Sequence, residues 1–221
     1  MRIILITAAS LLASAAWATT YQIDSLAVDP DSPYVTLDIS GGPYSGNPIS
    51  GLMIVGTTSG KSFATFCVDQ AGVIYIGADA DLPYATGTLT TDGFGNPVSP
   101  TQAHEIQALA DLGFDLWKQG ASDLTDKLPA IQGEIWSIEY PGETIDGGPV
   151  IDALMASYGV YAAAHPAMFS LTLNGAPLMG DQNLVIGDVP ETSTWLMMLA
   201  GFIGLAVAAP HTRRVKGETR K

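Results

Sequence analysis

Positive charge is almost missing from the body of this chain. Between an apolar leader and a basic tail the only Lys or Arg residues are Lys61, Lys118 and Lys127. Over all 221 residues, 9 Lys and Arg stand against 22 Asp and Glu, a formal net charge of -13. Such a surface repels nucleic acid and anionic lipid and suits solubility, divalent cations or basic partners; simple solubilisation is the plainest of these. Histidine is scarce too. His104-Glu105 opens like a zinc helix, but Ala108 stands at i+4 where the second ligand belongs, so His104 reads as a solvated helix-face residue. There is no G-x-S-x-G elbow. Gly56-Thr57-Thr58-Ser59-Gly60-Lys61-Ser62 is one residue short of a phosphate loop and runs into strand character, so it reads as a hairpin turn. Asp79 and Asp81 could bind calcium weakly, but they do not match a D-x-D-x-D-G loop and read by default as loop acids. Acid count alone argues no glycosidase, which needs a fixed carboxylate separation across a cleft. We expect no metal, no cofactor and no catalytic residue. One cysteine, Cys67, excludes an internal disulfide and leaves a lone thiol to be explained.

The two ends carry targeting information. Arg2, the apolar run from Ile3 to Leu12, and Ala16-Trp17-Ala18 form the n-region, h-region and small-x-small site of a secretory signal peptide cut after Ala18. Export through the Sec translocon places the mature chain in an oxidising compartment. At the other end stand Val189-Pro190-Glu191-Thr192-Ser193-Thr194-Trp195, an apolar run to Ala209, and a tail with Arg213, Arg214 and Lys216. The order of polar motif, apolar segment and cytoplasmic cations resembles a PEP-CTERM sorting signal, the substrate of exosortase-type peptidases in Gram-negative bacteria that make exopolysaccharide. That resemblance assigns Pro190, Glu191, Ser193, Thr194 and Trp195 to the recognition motif. Thr192 departs from it, since proline is usual there. Arg213, Arg214 and Lys216 supply the stop charges that hold orientation. The apolar run, 195–209, is short beside the roughly 20 residues of a stable span. It suits a transient inner-membrane anchor followed by release to the cell surface or matrix; a plain single-pass anchor is the alternative.

Residues 19–187 are enough for one domain, between a leader at 1–18 and a sorting segment at 188–221. Tyr34 to Ile39 alternates at period 2 and predicts one half-buried strand. Leu52–Val55 and Ser62–Val68 predict two strands joined by Gly56–Gly60, Val73–Ile76 a further strand, and Asp79–Asn96 a Gly-rich loop with a short strand near Leu89. Ser99-Pro100-Thr101-Gln102 has capping-box form and opens a helix to about Gln119, stopped by Gly120. A second helix is expected to open near Pro129 and close at Pro141-Gly142, and a third to run from about Val150 to Ala164. Phe169–Leu173 and Leu184–Ile186 return to strand. The layout predicts an α+β fold, an antiparallel sheet or sandwich closed by its C-terminal strands, with about three helices in the middle.

Phe66-Cys67-Val68-Asp69 and Ile131-Gln132-Gly133-Glu134-Ile135-Trp136 together resemble the two signatures of thioester domains from surface adhesins. The resemblance implies that the Cys67 sulfur attacks the Gln132 side-chain amide, releasing ammonia and leaving an internal thioester. It implies that a surface amine on a target then takes the acyl group, once and without turnover. Phe66, Trp136 and Tyr140 are the expected shields against water, with Gln132 and Trp136 on one helix face. Glu134, where the family often has Ala, would set a carboxylate beside the bond. The plainer alternative is an inert buried cysteine and a glutamine that caps a backbone group. At the level of the whole chain the readings are a thioester adhesin, a non-reactive structural component of an exopolysaccharide or biofilm matrix, and a secreted polysaccharide hydrolase.

Overall fold

A computed structural model of the chain describes residues 25–29, 34–51, 54–58, 61–70, 85–168, 170, 172–174 and 183–187. The signal peptide, the sorting motif, the apolar run at 195–209, the basic tail, Val73–Ile76, Asp79 and Asp81 all lie outside these residues. No helix among the described residues is long and apolar enough to cross a membrane.

The described chain is α+β. Its strands are β1 (Ser25–Val28), β2 (Val35–Thr36), β3 (Asp38–Ser40), β4 (Ile49–Ser50), β5 (Ile54–Thr58), β6 (Lys61–Cys67), β7 (Ala85–Gly87), β8 (Thr144–Asp146), β9 (Thr172–Asn174) and β10 (Leu184–Gly187). Its helices are α1 (Pro100–Lys118), α2 (Leu124–Glu139) and α3 (Pro149–Ala164). The main sheet is antiparallel in the order β1-β5-β6-β10-β9-β7. The C-terminal strand β10 therefore sits inside the sheet beside β6, rather than closing its edge. Two small antiparallel pairs, β2 with β4 and β3 with β8, lie apart from it.

Alternation along β6 divides the interior in two. Ala64, Phe66 and Val68 join Val185 of β10 in the core beneath α1 and α2, with Ile106, Leu109, Ile131 and Ile135. Phe63 points the other way, toward Leu26, Leu173, Leu184 and Ile186. This is the period-2 geometry of a sheet buried on both faces. α1 approaches closely because Gly113 lies against the Phe66 ring, where a Cβ would collide. Gln107 fixes the crossing by donating from Nε2 to the Ile186 carbonyl at 2.6 Å.

The capping box of α1 is present: the Gln102 N–H donates to Ser99 Oγ at 3.2 Å, and the Ser99 N–H to Gln102 Oε1 at 3.0 Å. Three expectations are corrected. The segment expected as one strand over Tyr34–Ile39 is broken at Leu37 into β2 and β3, because each half pairs with a different partner; Leu37 and Ile39 are nevertheless both buried. Gly56, Thr57 and Thr58 belong to β5 rather than to a loop, and Thr58 pairs with Lys61 of β6. The β-branched threonines favour the strand, and Gly56 leaves room for the Phe63 ring. Helix α2 opens at Leu124, five residues before Pro129, so Pro129 is interior to it. Proline there gives up a helix hydrogen bond. Its ring is buried against Gly51, whose φ of +84° needs glycine, and its carbonyl accepts from Ser50 Oγ at 3.2 Å.

Candidate thiol-amide site

Cys67 ends β6, opposite Leu184 of β10. The next residue, Val68, sends its N–H to the Asn183 carbonyl at 2.9 Å, toward β10. The Cys67 backbone faces the other way, and there the Gln132 side chain meets it. The Cys67 N–H donates to Gln132 Oε1 at 3.0 Å, and Gln132 Nε2 donates to the Cys67 carbonyl at 2.6 Å. One side-chain amide thus acts toward Cys67 as the backbone of a neighbouring strand would. Gln132 is 3% exposed. A buried amide needs its donor and acceptor satisfied, and Cys67 does both.

The pair stands 65 residues apart in sequence and joins α2 to the end of β6. Cys67 itself is half-buried and free. Burial first, and the charge of Asp69 second, push its thiol up to about 12, so at neutral pH it is a protonated thiol and a weak nucleophile. The N–H on Oε1 polarises the amide carbonyl beside it, the role of a single oxyanion-hole donor.

The expected shields separate into two groups. Trp136 and Tyr140, 1% and 4% exposed, belong to the same apolar cluster that Cys67 packs against. Phe66 does not join them. Adjacent strand residues face opposite sides, and Phe66 lies in the core under Gly113 of α1. Glu134 is also misplaced by the motif. Two positions on from Gln132, it turns away around α2; a Cβ at Gly159 of α3 would run into its carboxyl. Burial and then the charge of Glu105 raise it to about 7. The Glu134 carboxyl therefore does not stand beside the Cys67–Gln132 pair.

A cleft of about 570 Å³ has a lining that includes Asp92, Gln102, Glu139, Tyr140 and Glu143. Asp69 links the two places. Its Oδ2 accepts the Asn183 N–H at 2.7 Å, and a Cβ at Gly93, next to the cleft residue Asp92, would collide with it. Burial raises Asp69 to about 6. Asp92 organises its own loop, accepting from the N–H groups of Phe94 at 3.0 Å and Asn96 at 2.7 Å. Tyr140 Oη accepts the Gly93 N–H at 3.3 Å, and the Phe94 ring meets Tyr140 edge-on at 5.8 Å. Glu143 accepts from Gln70 Nε2. These acids were not singled out from sequence. Glu139 was within reach of it, since Gln132, Trp136 and Glu139 follow i, i+4, i+7 on one face of α2. The cleft joins three separate segments, and nothing in their local pattern announces it. Among the described residues no group of His, Cys, Asp and Glu is placed to hold a metal ion.

No family model and no curated protein matches the chain. Among solved structures it is similar to the N-terminal thioester domain of fibronectin-binding protein SfbI from Streptococcus pyogenes. The TM-score is 0.36 at 13% sequence identity, over 72% of this chain and 94% of that one.

Proposed function

We propose that this chain is an exported, non-enzymatic surface or matrix protein in which Cys67 and Gln132 close an internal thioester that attaches it to an amine. The observation that carries this reading is the reciprocal pair of hydrogen bonds between the Gln132 amide and the Cys67 backbone, at 3.0 and 2.6 Å. It brings the Gln132 amide against the residue that carries the sulfur. In the closing step Cys67 Sγ bonds to Gln132 Cδ, the Cδ–Nε2 bond breaks, and the thiol proton leaves with the nitrogen as ammonia. The Cys67 N–H remains on the acyl oxygen. In the opening step a target amine bonds to Cδ, the C–S bond breaks, and the sulfur regains a proton as a thiol. Trp136 and Tyr140 limit water at the pair until the amine arrives. The step is stoichiometric and needs no cofactor.

Delivery in this reading follows from the two ends. The leader directs export through the Sec translocon with cleavage after Ala18. The segment 188–221 serves as an exosortase sorting signal, with residues 195–209 lodged briefly in the inner membrane and Arg213, Arg214 and Lys216 in the cytoplasm. The product is released to the surface or the exopolysaccharide matrix. The intact mass of protein purified from its host tests the bond. A chain one ammonia lighter than its processed sequence, with no thiol alkylated after unfolding, is expected. Full mass, with an alkylatable Cys67 and an amide at Gln132, overturns it and leaves a structural matrix component in which Gln132 only caps the end of β6.

A further inference from the structure

Glu139 sits at the wall of the cleft, 4% exposed, and neither of its carboxyl oxygens has a hydrogen-bond partner. Glu143 presents a third such oxygen, Oε1, at the same cleft. A buried carboxyl without donors is costly. Here the cost is compounded: burial first, then the charges of Asp69, Asp92 and Glu143, raise Glu139 well above the usual carboxylate range. The neighbouring Tyr140 side chain, through hydrogen bonding, lowers it only in part. Three acceptors lacking donors, in an acidic cleft, on a chain of net charge -13, call for a ligand that brings donors and positive charge together. A single metal ion is the poorer fit. It wants several oxygens converging on one point, and no such group is present among the described residues. An alkylammonium brings three N–H donors on one charge, and its methylenes suit the Tyr140 ring that lines the cleft.

We propose that the cleft bounded by Glu139, Glu143 and Asp92 is a receptor for alkylammonium groups, selecting targets that carry a second amine beyond the one that reacts. This deepens the thioester reading and rests on it for the covalent step; the binding step does not. Gln132 and Glu139 lie two turns apart on α2, about 10 Å along its axis, a span that a diamine or two lysine side chains can cross. One ammonium is then held at Glu139 while the other amine, as its neutral form, reaches Gln132.

Two measurements separate the binding from the chemistry. The first is calorimetric titration of the full chain carrying Cys67→Ala, which cannot form the bond, with spermidine, with a trilysine peptide and with calcium. Saturable binding of spermidine or the peptide is expected, about tenfold weaker in Glu139→Gln, the loss of one charged hydrogen bond. The spermidine and peptide arms distinguish a free polyamine from a basic polypeptide. Glu143→Gln, at a partly exposed position, provides a second variant should Glu139→Gln fail to fold. Equal affinities in parent and variants, no saturable binding, or calcium binding that spermidine cannot displace overturns the receptor. The second measurement compares adduct formation at Gln132 by cadaverine and by butylamine in the unsubstituted chain. A faster reaction with cadaverine is expected, with the ratio falling to about one in Glu139→Gln. Adducts formed equally with both amines overturn the selectivity. No adduct with either amine, while spermidine still binds, overturns the thioester and leaves the receptor standing.

Discussion

The two sides of β6 are built to different rules. Under the helices, Ala64, Phe66 and Val68 pack into a dry apolar core with α1, α2 and β10. Past the end of the same strand, Gln70 Oε1, Trp136 Nε1 and the carboxyl of the cleft residue Glu139 are buried without partners. Native interiors satisfy nearly all such groups. Neighbouring residues of one strand, Phe66 and Cys67, therefore lie in different surroundings.

Substituting those two neighbours gives the largest contrast. Phe66→Ala removes a fully buried ring that fills the space against Gly113, and should cost about 3–5 kcal/mol, enough to unfold much of a marginal domain. Cys67→Ala removes one half-buried sulfur. Both hydrogen bonds of the Gln132 amide go to the backbone of residue 67, so alanine keeps them, and the melting temperature should match that of the uncrosslinked, thiol form of the parent while amine adducts vanish. Denaturant titration and peptide mass on the two variants read the two effects. A Cys67→Ala chain that loses as much stability as Phe66→Ala would mean that the sulfur is a core atom and the division of the strand is wrong.

Gln132→Ala falls between these extremes. It also abolishes adducts, but it strips partners from both the N–H and the carbonyl of Cys67. Leaving buried backbone groups unpaired costs about 1–3 kcal/mol. The two partners of the proposed crosslink are therefore expected to differ in stability and agree in chemistry. Gln132→Glu sharpens this, because it retains an acceptor for the Cys67 N–H yet offers no amide to displace. Its adduct yield should be nil and its stability closer to the parent than that of Gln132→Ala. Equal unfolding midpoints for Cys67→Ala and Gln132→Ala would show that the amide does not hold the strand end.

How much of this was legible in the residues follows the range of the interactions. Helices α1 and α3 were readable because caps, stops and apolar stripes are local: Ser99 and Gln102 satisfy each other across one turn. The pairing of Cys67 with Gln132 was readable only through a resemblance of two short motifs, since nothing local joins positions 65 apart. Phe66 as a shield and Glu134 as a disturbing charge were misreadings of adjacency. Period 2 in a strand and 3.6 in a helix already turn both away from the pair. The start of α2 was hidden by Pro129, whose usual place at the first turn was overridden by tertiary packing on Gly51. The cleft was not legible, because it exists only where Gly41–Pro43, the stretch from Asp92 to Gln102 and the segment from Glu139 to Glu143 converge.

Glu134 gives the smallest effect and the cleanest test of that last distinction. Its carboxyl titrates near pH 7 in the fold, against an ordinary value of 4.5, chiefly through burial and then through Glu105. Between those values the folded chain binds more protons than the unfolded chain. The stabilisation is complete below about pH 4.5 and is lost as pH rises through about 7, opposite in sign to an acid held by a salt bridge. The group is half-buried, so solvent screens the effect and the change is modest. Glu134→Gln should flatten this part of the profile, raising the unfolding midpoint near neutral pH relative to acid pH. Because the side chain faces Gly159 rather than Cys67, the same variant should form amine adducts at the parental rate. Parallel pH profiles for parent and variant would remove the titration claim. A changed adduct rate would return Glu134 to the neighbourhood of the bond.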